Sequence, residues 1–340
     1  MNSILVTGGA GFIGSHFIEY LLNTPKPFKI INLDALTYAA NKEFIKKFDS
    51  ESRYTLIKGD ICNETMVNNL FNEHQFDAVF HFAAESHVDN SISSPSAFIN
   101  TNINGTFNLI HSAKNLWIDS PFKTKNNFKH ARFHHISTDE VYGSLGETGF
   151  FTEDTAYAPN SPYSASKASS DFLVRCYHKT YGLNVTISNC SNNFGPYQHH
   201  EKLIPTIIRN ALKLKPIPIY GDGKNIRDWL YVTHHCDAIL TIFNKGITGE
   251  TYNVGTRNEL NNLELCHLIC KLLDQLHPRQ DKKTYSDLIT FVTDRPGHDR
   301  RYSIDPEKIE TTLLWKPEQH FETQLRYTIQ HYIDLYDTTR

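Results

Sequence analysis

The chain begins with a glycine-rich stretch, TGGAGFIGS, between a short apolar segment and a helical pattern. The apolar segment predicts a strand over residues 4–7, and the spacing of apolar residues predicts a helix over residues 12–22. Gly8, Gly11 and Gly14 would then lie in a strand-to-helix turn. Glycine lets the backbone of such a turn approach a pyrophosphate, and the free N–H groups of the helix N-terminus face the phosphates. The sequence therefore predicts a dinucleotide-binding unit.

A second apolar segment, FKIINLD, ends in Asp34, twenty residues after Gly14. A carboxylate at the end of this strand can accept hydrogen bonds from both ribose hydroxyls of a dinucleotide. It would also repel the additional phosphate of NADP, so the sequence predicts NAD as the cofactor. The alternative is an aspartate that only caps a turn.

Further apolar segments precede other candidate ligands. YTLIKGDI runs to Asp60, FDAVFHFAAES runs into Ala83 and Ala84, and FHHIS precedes residues 138–140. Strands that alternate with helical stretches predict an α/β fold with a doubly wound parallel sheet. Because ligands of such sheets bind beyond the carboxyl ends of the strands, we expect all these positions to border one site.

The segment HHISTDEVYG places two acidic residues, Asp139 and Glu140, side by side directly after a predicted strand. Neighbouring carboxylates repel each other, and successive residues of a strand point to opposite faces. One interpretation is a strand that ends in a solvated turn. The other is an acid and a base that serve one site, because two carboxyl groups in different environments can hold opposite protonation states at one pH.

The segment SPYSASKASSD contains Tyr163 and Lys167, four residues apart and hence on one face of a predicted helix. An ammonium group near a phenol favours the phenolate, so we expect Lys167 to lower the pKa of Tyr163. Tyr163 would then act as a base for a hydroxyl proton while a hydride passes to NAD. A solvated helix face is the usual meaning of this spacing when it occurs alone.

With these motifs in place, the chain resembles the extended short-chain dehydrogenases/reductases, and most closely the family of dTDP-glucose 4,6-dehydratases. The similarity covers nearly the whole chain in order, and the motifs that carry it include TGGAGFIGS, LDALTYAAN, FAAESHVDNSI, STDEVYG, SPYSASKASSD, NCSNNFGPY, EKLIP, IRDWLYV, GETYNVG and DRPGHDRRYSID. The resemblance implies a Rossmann-type domain over residues 1–186. It implies a smaller, mixed α/β substrate domain over residues 187–340, some segments of which return to the Rossmann sheet.

The resemblance also implies a role for each matching catalytic residue. Tyr163, with Lys167 beside it, would take the proton of the sugar 4-hydroxyl, which Thr138 would hold. Glu140 would remove the C5 proton, and Asp139 would protonate the departing 6-hydroxyl. NAD would accept hydride from C4 and return it to C6, and would therefore stay bound through turnover.

Two sets of binding residues are predicted, and no metal ligands. The predicted cofactor-binding residues are Gly8, Gly11, Phe12, Ile13, Gly14, Asp34, Ala35, Leu36, Thr37, Asp60, Ile61, Phe82, Ala83, Ala84, Ser86, Thr101, Tyr163, Lys167 and Asn193. The substrate-binding residues that the resemblance implies are Ser86, Thr138, Asn192, Lys202, Leu203, Pro218, Ile219, Tyr220, Arg227, Asn262, His298, Asp299, Arg300, Arg301 and Tyr302.

Two alternatives remain open at the level of sequence. The first is a related enzyme, such as a UDP-sugar 4-epimerase, which has no need of the acidic pair, or a UDP-glucose 4,6-dehydratase, which does. The second is a non-catalytic NAD-binding sensor or scaffold. The chain also departs from the family at His199 and His200, where Phe-Pro is usual, and in a shorter loop between Tyr142 and Tyr163.

Composition and charge restrict the partners. The 340 residues carry a net charge of −3 without a basic patch, so we expect no nucleic acid, and no apolar stretch is long enough to predict a signal peptide or a membrane span. Six scattered cysteines, with Cys266 and Cys270 predicted as a buried pair on one helix, favour reduced thiols and a cytoplasmic protein. The resemblance implies a homodimer through helices around Thr101–Asn115 and Pro162–Tyr181.

Overall fold

The structure is a computed structural model that describes residues 1–318 and 320–337. The strands are β1 (Ser3–Thr7), β2 (Lys29–Asp34), β3 (Tyr54–Lys58), β4 (Ala78–His81), β5 (Ile118–Ser120), β6 (Lys123–Thr124), β7 (Arg132–Thr138), β8 (Val185–Cys190), β9 (Asn192–Phe194), β10 (Ile217–Tyr220), β11 (Ile226–Tyr231), β12 (Thr251–Val254), β13 (Glu259–Asn261) and β14 (Ile289–Val292).

The helices alternate with these strands through the first half of the chain. They are α1 (Phe12–Leu22), α2 (Lys42–Ile45), α3 (Glu64–His74), α4 (Val88–Ser93), α5 (Pro95–Phe98), α6 (Thr106–Trp117), α7 (Pro162–Tyr181), α8 (Leu203–Leu212), α9 (Val232–Lys245), α10 (Asn262–Leu276), α11 (Glu307–Leu313) and α12 (Phe321–Asp337). A π-helical segment covers Ile99–Gly105, and short 3₁₀ turns cover Lys46–Phe48, Asn126–Phe128, Asp139–Tyr142 and Tyr285–Leu288.

A seven-stranded parallel sheet forms the larger layer, in the order β3-β2-β1-β4-β7-β8-β12. The chain moves outward from β1 in one direction through β2 and β3, and in the other direction through β4 and the strands that follow it. Such a reversal leaves a crevice beyond the carboxyl ends of the two central strands, which is where ligands of doubly wound sheets bind. The predicted α/β fold with a doubly wound sheet is confirmed.

Both faces of this sheet are buried, because alternate residues of each strand point to opposite sides. Leu5 of β1 belongs to a cluster that includes buried residues of α3, α6 and α7. Its neighbours Ile4 and Val6 belong to a second cluster with α1 and α9. This packing explains why the central strands read as continuous apolar runs.

A smaller region packs beside the carboxyl ends of the sheet. Its hydrophobic cluster joins α8, α10 and α12 with β10, and it contains Cys266 and Cys270, both buried and free as thiols. β9, β11 and β13 form a separate three-stranded sheet, and β10 pairs with β14. The division into residues 1–186 and 187–340 stays a prediction, and its boundary falls inside β8, a strand of the large sheet.

Two predicted strand ends need correction. β3 ends at Lys58 and not at Asp60, and β4 ends at His81 and not at Ala83. In both cases the following residues bend away as a loop that lines the crevice, so the candidate ligands lie on loops. In residues 1–318 and 320–337, no helix combines the length and apolar character needed to span a membrane.

The glycine-rich turn is packed so closely that a side chain would not fit. Gly8 has a φ of +70°, in the left-handed region, and a Cβ added to Gly14 would lie 2.3 Å from the Gly8 carbonyl oxygen. The same Cβ would lie 2.9 Å from the Cα of Gly9. Because these neighbours are backbone atoms of the turn itself, they cannot move aside without opening it.

We therefore expect Gly14→Ala to destabilise the protein. Overpacking costs about 1–3 kcal/mol, which exceeds the gain of about 1 kcal/mol that alanine brings to a helix. Thermal unfolding should show a lower Tm for this variant. Gly146→Ala is the matched control, because a Cβ there meets no atom within 4 Å. Equal Tm values for the two variants would contradict the close packing of the turn.

Candidate active site

A cavity of about 390 Å³ lies beyond the carboxyl ends of the central strands. Its walls come from the glycine-rich turn, the ends of β2, β3 and β4, the segment after β7, the N-terminal part of α7 and the segment after β8. All predicted cofactor-binding residues except Leu36 line this cavity. The structure thus brings the set together, and their contact with a cofactor stays a prediction.

Asp34 borders the part of the cavity that lies next to the glycine-rich turn. Its carboxylate accepts the N–H of Ala10 at 2.8 Å and the N–H of Leu36 at 2.7 Å, so it ties the glycine-rich turn to the segment after β2. Burial raises the pKa of Asp34, and the two N–H groups act in the opposite direction. The carboxylate therefore does cap the backbone, as the alternative interpretation held, and it also faces the cavity.

The acidic pair reaches the cavity because β7 ends in a 3₁₀ turn. Residues 139–142 leave the strand geometry, so the two carboxyl groups are not directed to opposite faces of the sheet. The Thr138 hydroxyl accepts the Glu140 N–H at 3.3 Å and donates to Asp139 Oδ1 at 3.3 Å. Thr138, Asp139 and Glu140 all line the cavity, which excludes the solvated strand end.

The two carboxyl groups lie in different electrostatic surroundings. Asp139 is buried, and burial, followed by the charges of Glu140 and Asp228, raises its pKa well above the usual range. Burial also raises the pKa of Glu140, but three cations, Arg295, Arg227 and Lys202, favour its ionised form. Asp139 is therefore suited to hold a proton and Glu140 to accept one.

Tyr163 and Lys167 lie on α7, which begins at a capping box formed by Ser161 and Ser164. The expected lowering of the Tyr163 pKa is not seen in this structure, because burial outweighs the neighbouring groups that favour the phenolate. Burial, followed by the negative charge of Glu140, raises the pKa of Tyr163 well above its usual value. The Lys167 ammonium instead donates to the Ile136 carbonyl at 2.8 Å.

At the mouth of the cavity, cationic and acidic side chains from distant segments meet. The Lys202 ammonium donates to the Ser86 carbonyl at 2.9 Å. Glu201 lies 3.5 Å from Nδ1 of His199 and 3.8 Å from Nε2 of His87. His199, one of the two departures from the family pattern, thus lies on the cavity wall.

The predicted substrate residues divide into two groups. Ser86, Thr138, Asn192 and Lys202 line the cavity itself. The others do not line the cavity, and they are Leu203, Pro218, Ile219, Tyr220, Arg227, Asn262, His298, Asp299, Arg300, Arg301 and Tyr302.

Two members of this second group are unsuited to a side-chain contact with a ligand. Nε and Nη2 of Arg301 donate to the Glu259 carboxylate, and Nη1 donates to the Gly149 carbonyl. Glu259 therefore neutralises the charge of Arg301 within the protein. Ile219 is buried in the hydrophobic cluster of the smaller region. Contact of these two residues with a substrate stays a prediction, and it would have to involve groups other than these side chains.

Arg227 holds a different position. Its guanidinium lies 4.1 Å from the centre of the Tyr302 ring and donates to the Asp299 carbonyl at 3.0 Å. It also acts electrostatically on both Asp139 and Glu140, so it lies near the acidic pair.

The sequence analysis did not single out Arg295. Its guanidinium is the first of the cations that favour ionised Glu140, and it donates to Asp89 Oδ1 at 3.1 Å. The motif DRPGHDRRYSID contains this arginine, but nothing in its local sequence distinguishes it from Arg300, which pairs with exposed Asp222. Across residues 1–318 and 320–337, no three His, Cys, Asp or Glu side chains are grouped as metal ligands would be.

Comparisons with known proteins agree with this geometry. The family model described as GDP-mannose 4,6 dehydratase matches residues 5–328. The dTDP-glucose 4,6-dehydratase of Xanthomonas campestris pv. campestris (strain B100) is 53% identical over 333 residues, which are 98% of this chain and 93% of that protein.

Two solved structures are similar over almost their whole length. The dTDP-glucose 4,6-dehydratase of Bacillus anthracis, in complex with NAD, has a TM-score of 0.86 and 43% identity, and the match covers 99% of this chain and 98% of that one. The dTDP-glucose 4,6-dehydratase of Streptomyces venezuelae, with NAD bound, has a TM-score of 0.88 and 42% identity, over 98% and 97% of the two chains.

The raised pKa of Asp139 predicts a pH-dependent gain in stability for Asp139→Asn. A carboxyl whose folded-state pKa is raised contributes stability below its unfolded pKa, and this contribution is lost as the pH rises toward the folded pKa. Asparagine has no such loss. The Tm of the variant should therefore exceed that of the wild type by about 2–4 °C near about pH 8, and by less near about pH 5.

The control is Asp119→Asn, which removes an exposed carboxylate that pairs with Lys123. Lys123 lowers the pKa of Asp119, so this change should not raise the Tm at either pH. A gain for Asp139→Asn that is independent of pH would show that ionisation of Asp139 is not its cause.

Proposed function

The chain belongs to the dTDP-glucose 4,6-dehydratases, and on this premise we propose that it converts dTDP-glucose into dTDP-4-keto-6-deoxyglucose and water, with NAD as its cofactor. The observation that carries the proposal is the acidic pair. Asp139 and Glu140 face one cavity from one 3₁₀ turn, in surroundings that favour opposite protonation states. An elimination needs such an acid and base on neighbouring carbons.

The residues of the cavity fit NAD. The first N–H groups of α1 have no partner within the helix and open beside the glycine-rich turn, which suits a pyrophosphate. Asp34 supplies a carboxylate for ribose hydroxyls at the end of β2 and disfavours a 2′-phosphate. When bound, NAD supplies the acceptor for the C4 hydride and its later donor to C6, and its oxidised ring carries a positive charge.

Tyr163 is the proposed base for the 4-hydroxyl proton, with Thr138 holding the hydroxyl. Thr138 lies beside the phenol and favours its ionised form, and Lys167 adds a positive charge one turn further along α7. Burial keeps the Tyr163 phenol protonated in the structure described here. Tyr163 therefore depends on positive charge around it to act as a base.

Glu140 is the proposed base for C5, and Asp139 the proposed acid for the 6-hydroxyl. A ketone at C4 acidifies the C5 proton, which the ionised Glu140 removes. Asp139, which burial keeps protonated, donates its proton to the leaving oxygen. Arg295, Arg227 and Lys202 oppose the effect of burial and favour the ionised form of Glu140, so they support the same division of roles.

The sugar nucleotide would extend from this pair toward the smaller region. Lys202 and Arg227 are the cations of the predicted substrate set that act on Glu140, and we propose that they bind the diphosphate of the sugar nucleotide. We expect the enzyme to prefer dTDP-glucose over UDP-glucose. The acidic pair favours a dehydratase over a 4-epimerase, because epimerisation does not need these two residues.

We also propose a homodimer and a cytoplasmic location. Phe107 of α6 and Phe172 of α7 are 41% and 54% exposed, which supports pairing of these helices across a two-fold axis. The free, buried thiols Cys266 and Cys270 suit a reducing compartment. Sedimentation at the mass of one chain, or recovery outside the cytoplasm, would contradict these proposals.

Incubation with dTDP-glucose should give a product lighter by one water, detected by mass spectrometry. UDP-glucose in a parallel reaction should react more slowly. Faster conversion of UDP-glucose would identify a UDP-sugar dehydratase, and a C4 epimer without mass loss would identify an epimerase. No turnover of either substrate, with NAD bound, would support a non-catalytic role.

Variants of the acidic pair should separate oxidation from elimination. Glu140→Gln cannot take the C5 proton, so reduced-nicotinamide absorbance should accumulate while C5 exchange into deuterated solvent falls by about 100- to 10,000-fold. Asp139→Asn should retain C5 exchange but lose water slowly, because the leaving oxygen lacks its acid. The proton spectrum of the sugar reports both processes.

Tyr163→Phe is the matched control, because it should block the first step and give little absorbance change. Near wild-type loss of water in both acidic variants would mean that Asp139 and Glu140 are not the acid and the base.

A further inference from the structure

We propose that Asp171 is a positioning residue, a buried counter-ion that keeps the Lys167 ammonium charged at the end of the cavity where Tyr163 acts. The inference rests on the proposed roles of Tyr163 and Lys167. It assigns a function to a carboxylate that does not line the cavity and that the proposed mechanism does not use.

Helix geometry places Asp171 behind the two residues of the site. Tyr163, Lys167 and Asp171 follow one another at intervals of four along α7, so they lie on one face of the helix. Exposed fractions of 9%, 5% and 0% show that this face becomes progressively more buried away from the cavity. Asp171 is thus the innermost of the three.

The carboxylate of Asp171 is held in a fixed orientation. Its Oδ2 atom accepts the Ser137 hydroxyl at 2.9 Å and the Tyr157 hydroxyl at 2.9 Å. Its Oδ1 atom lies 3.2 Å from Nε2 of His135, without the alignment of a hydrogen bond, and has no other partner among the described residues. Hydrogen bonds therefore hold Oδ2 in place, whereas no hydrogen bond offsets the negative charge on Oδ1.

Few neighbouring groups stabilise the charged form of Lys167. Its ammonium makes one hydrogen bond, to the Ile136 carbonyl, and lies within 4 Å of no carboxylate in the described part of the chain. Burial lowers the pKa of Lys167, and Asp171 is the first group that raises it again. The interaction is mutual, because Lys167 is also the first group that lowers the pKa of Asp171, which burial raises to about 6.

The other titratable groups around this pair do not replace Asp171. Burial lowers the pKa of His135 on β7 and of His81 on β4 far below the usual range, so both imidazoles are neutral. Burial raises the pKa of the Cys190 thiol on β8, which is neutral as well.

Three further titratable groups act on Asp171, and none of them is an anion that could replace it beside Lys167. The phenols of Tyr157 and Tyr142 stay protonated, because burial raises the pKa of each. Arg175, one turn after Asp171 on α7, donates to Tyr157 at 2.8 Å and to Thr251 at 3.1 Å. Asp171, one helical turn after Lys167, is therefore the carboxylate that acts on the Lys167 ammonium.

The variant Asp171→Asn tests this assignment with little change of shape. An amide oxygen can still accept from Ser137 and Tyr157, and the amide NH₂ can occupy the site beside His135. Loss of the charge should lower the pKa of Lys167 by about 1 unit or more. Carbon NMR of the protein labelled at lysine Cε, with the Lys167 signal identified by its loss in Lys167→Arg, measures this pKa directly.

The alkaline limb of the kcat profile should move down by the same amount, because a neutral Lys167 no longer supports Tyr163. KM for dTDP-glucose should change less than twofold at lower pH. The control is Tyr157→Phe, which removes one hydrogen bond from the same carboxylate and leaves its charge, so the pKa of Lys167 should stay unchanged.

If Asp171→Asn does not fold, the proposal is tested by measuring the pKa of Asp171 in a variant of Lys167. In Lys167→Met the pKa of Asp171, followed by carboxyl NMR, should rise above its wild-type value. An unchanged pKa of the partner in either variant would overturn the proposal. These titrations need no substrate, so their outcome is independent of whether the protein dehydrates dTDP-glucose. The proposal for Asp171 and the proposed function can therefore be contradicted separately.

Discussion

β1 pairs in parallel with β2 on one side and with β4 on the other, and the chain leaves this central strand in both directions. The glycine-rich turn fits into the crevice beyond this pairing only because Gly8 and Gly14 lack side chains. Every group of the candidate site is placed by this arrangement, since the parallel strands bring their carboxyl ends to one edge. Residues from the first turn of the chain and from α7 therefore border one cavity.

Burial of charge is the main electrostatic feature of that cavity. Asp139 is held neutral by burial and by its acidic neighbour, whereas three cations favour ionised Glu140. Each buried carboxyl lowers the stability of the folded protein at neutral pH, because the unfolded chain would ionise it freely. An acid and a base on adjacent residues therefore cost the folded protein some stability. Because the cations come from the smaller region, the chemistry also depends on how this region packs against the sheet.

α7 connects this chemistry with the interior of the sheet domain. Its first turns bring Tyr163 and Lys167 to the cavity, and its next turn buries Asp171 among His135, Ser137 and Tyr157. Because burial raises the pKa of the Tyr163 phenol, its use as a base depends on the positive charge that surrounds it. The buried carboxylate behind Lys167 maintains part of that charge.

The fold class and the residues that line the cavity around the glycine-rich turn and the strand ends could be predicted from sequence, because glycine spacing, apolar runs and strand-end acids reflect local backbone geometry. The strand ends expected at Asp60 and Ala83 and the expected lowering of the Tyr163 pKa were wrong, and the pairing of Arg301 with Glu259 could not be predicted. Strand ends depend on where pairing stops, and the charge of Arg301 is neutralised by Glu259, which is distant in sequence. The pKa of Tyr163 depends on burial, and the influence of Arg295 on Glu140 arises only when the segment after β14 comes near residue 140. The sequence by itself determined which chemical groups are present and which strands they follow along the chain. Only the tertiary structure decided which of them are buried, charged or already paired, because these properties depend on neighbours from other segments of the chain.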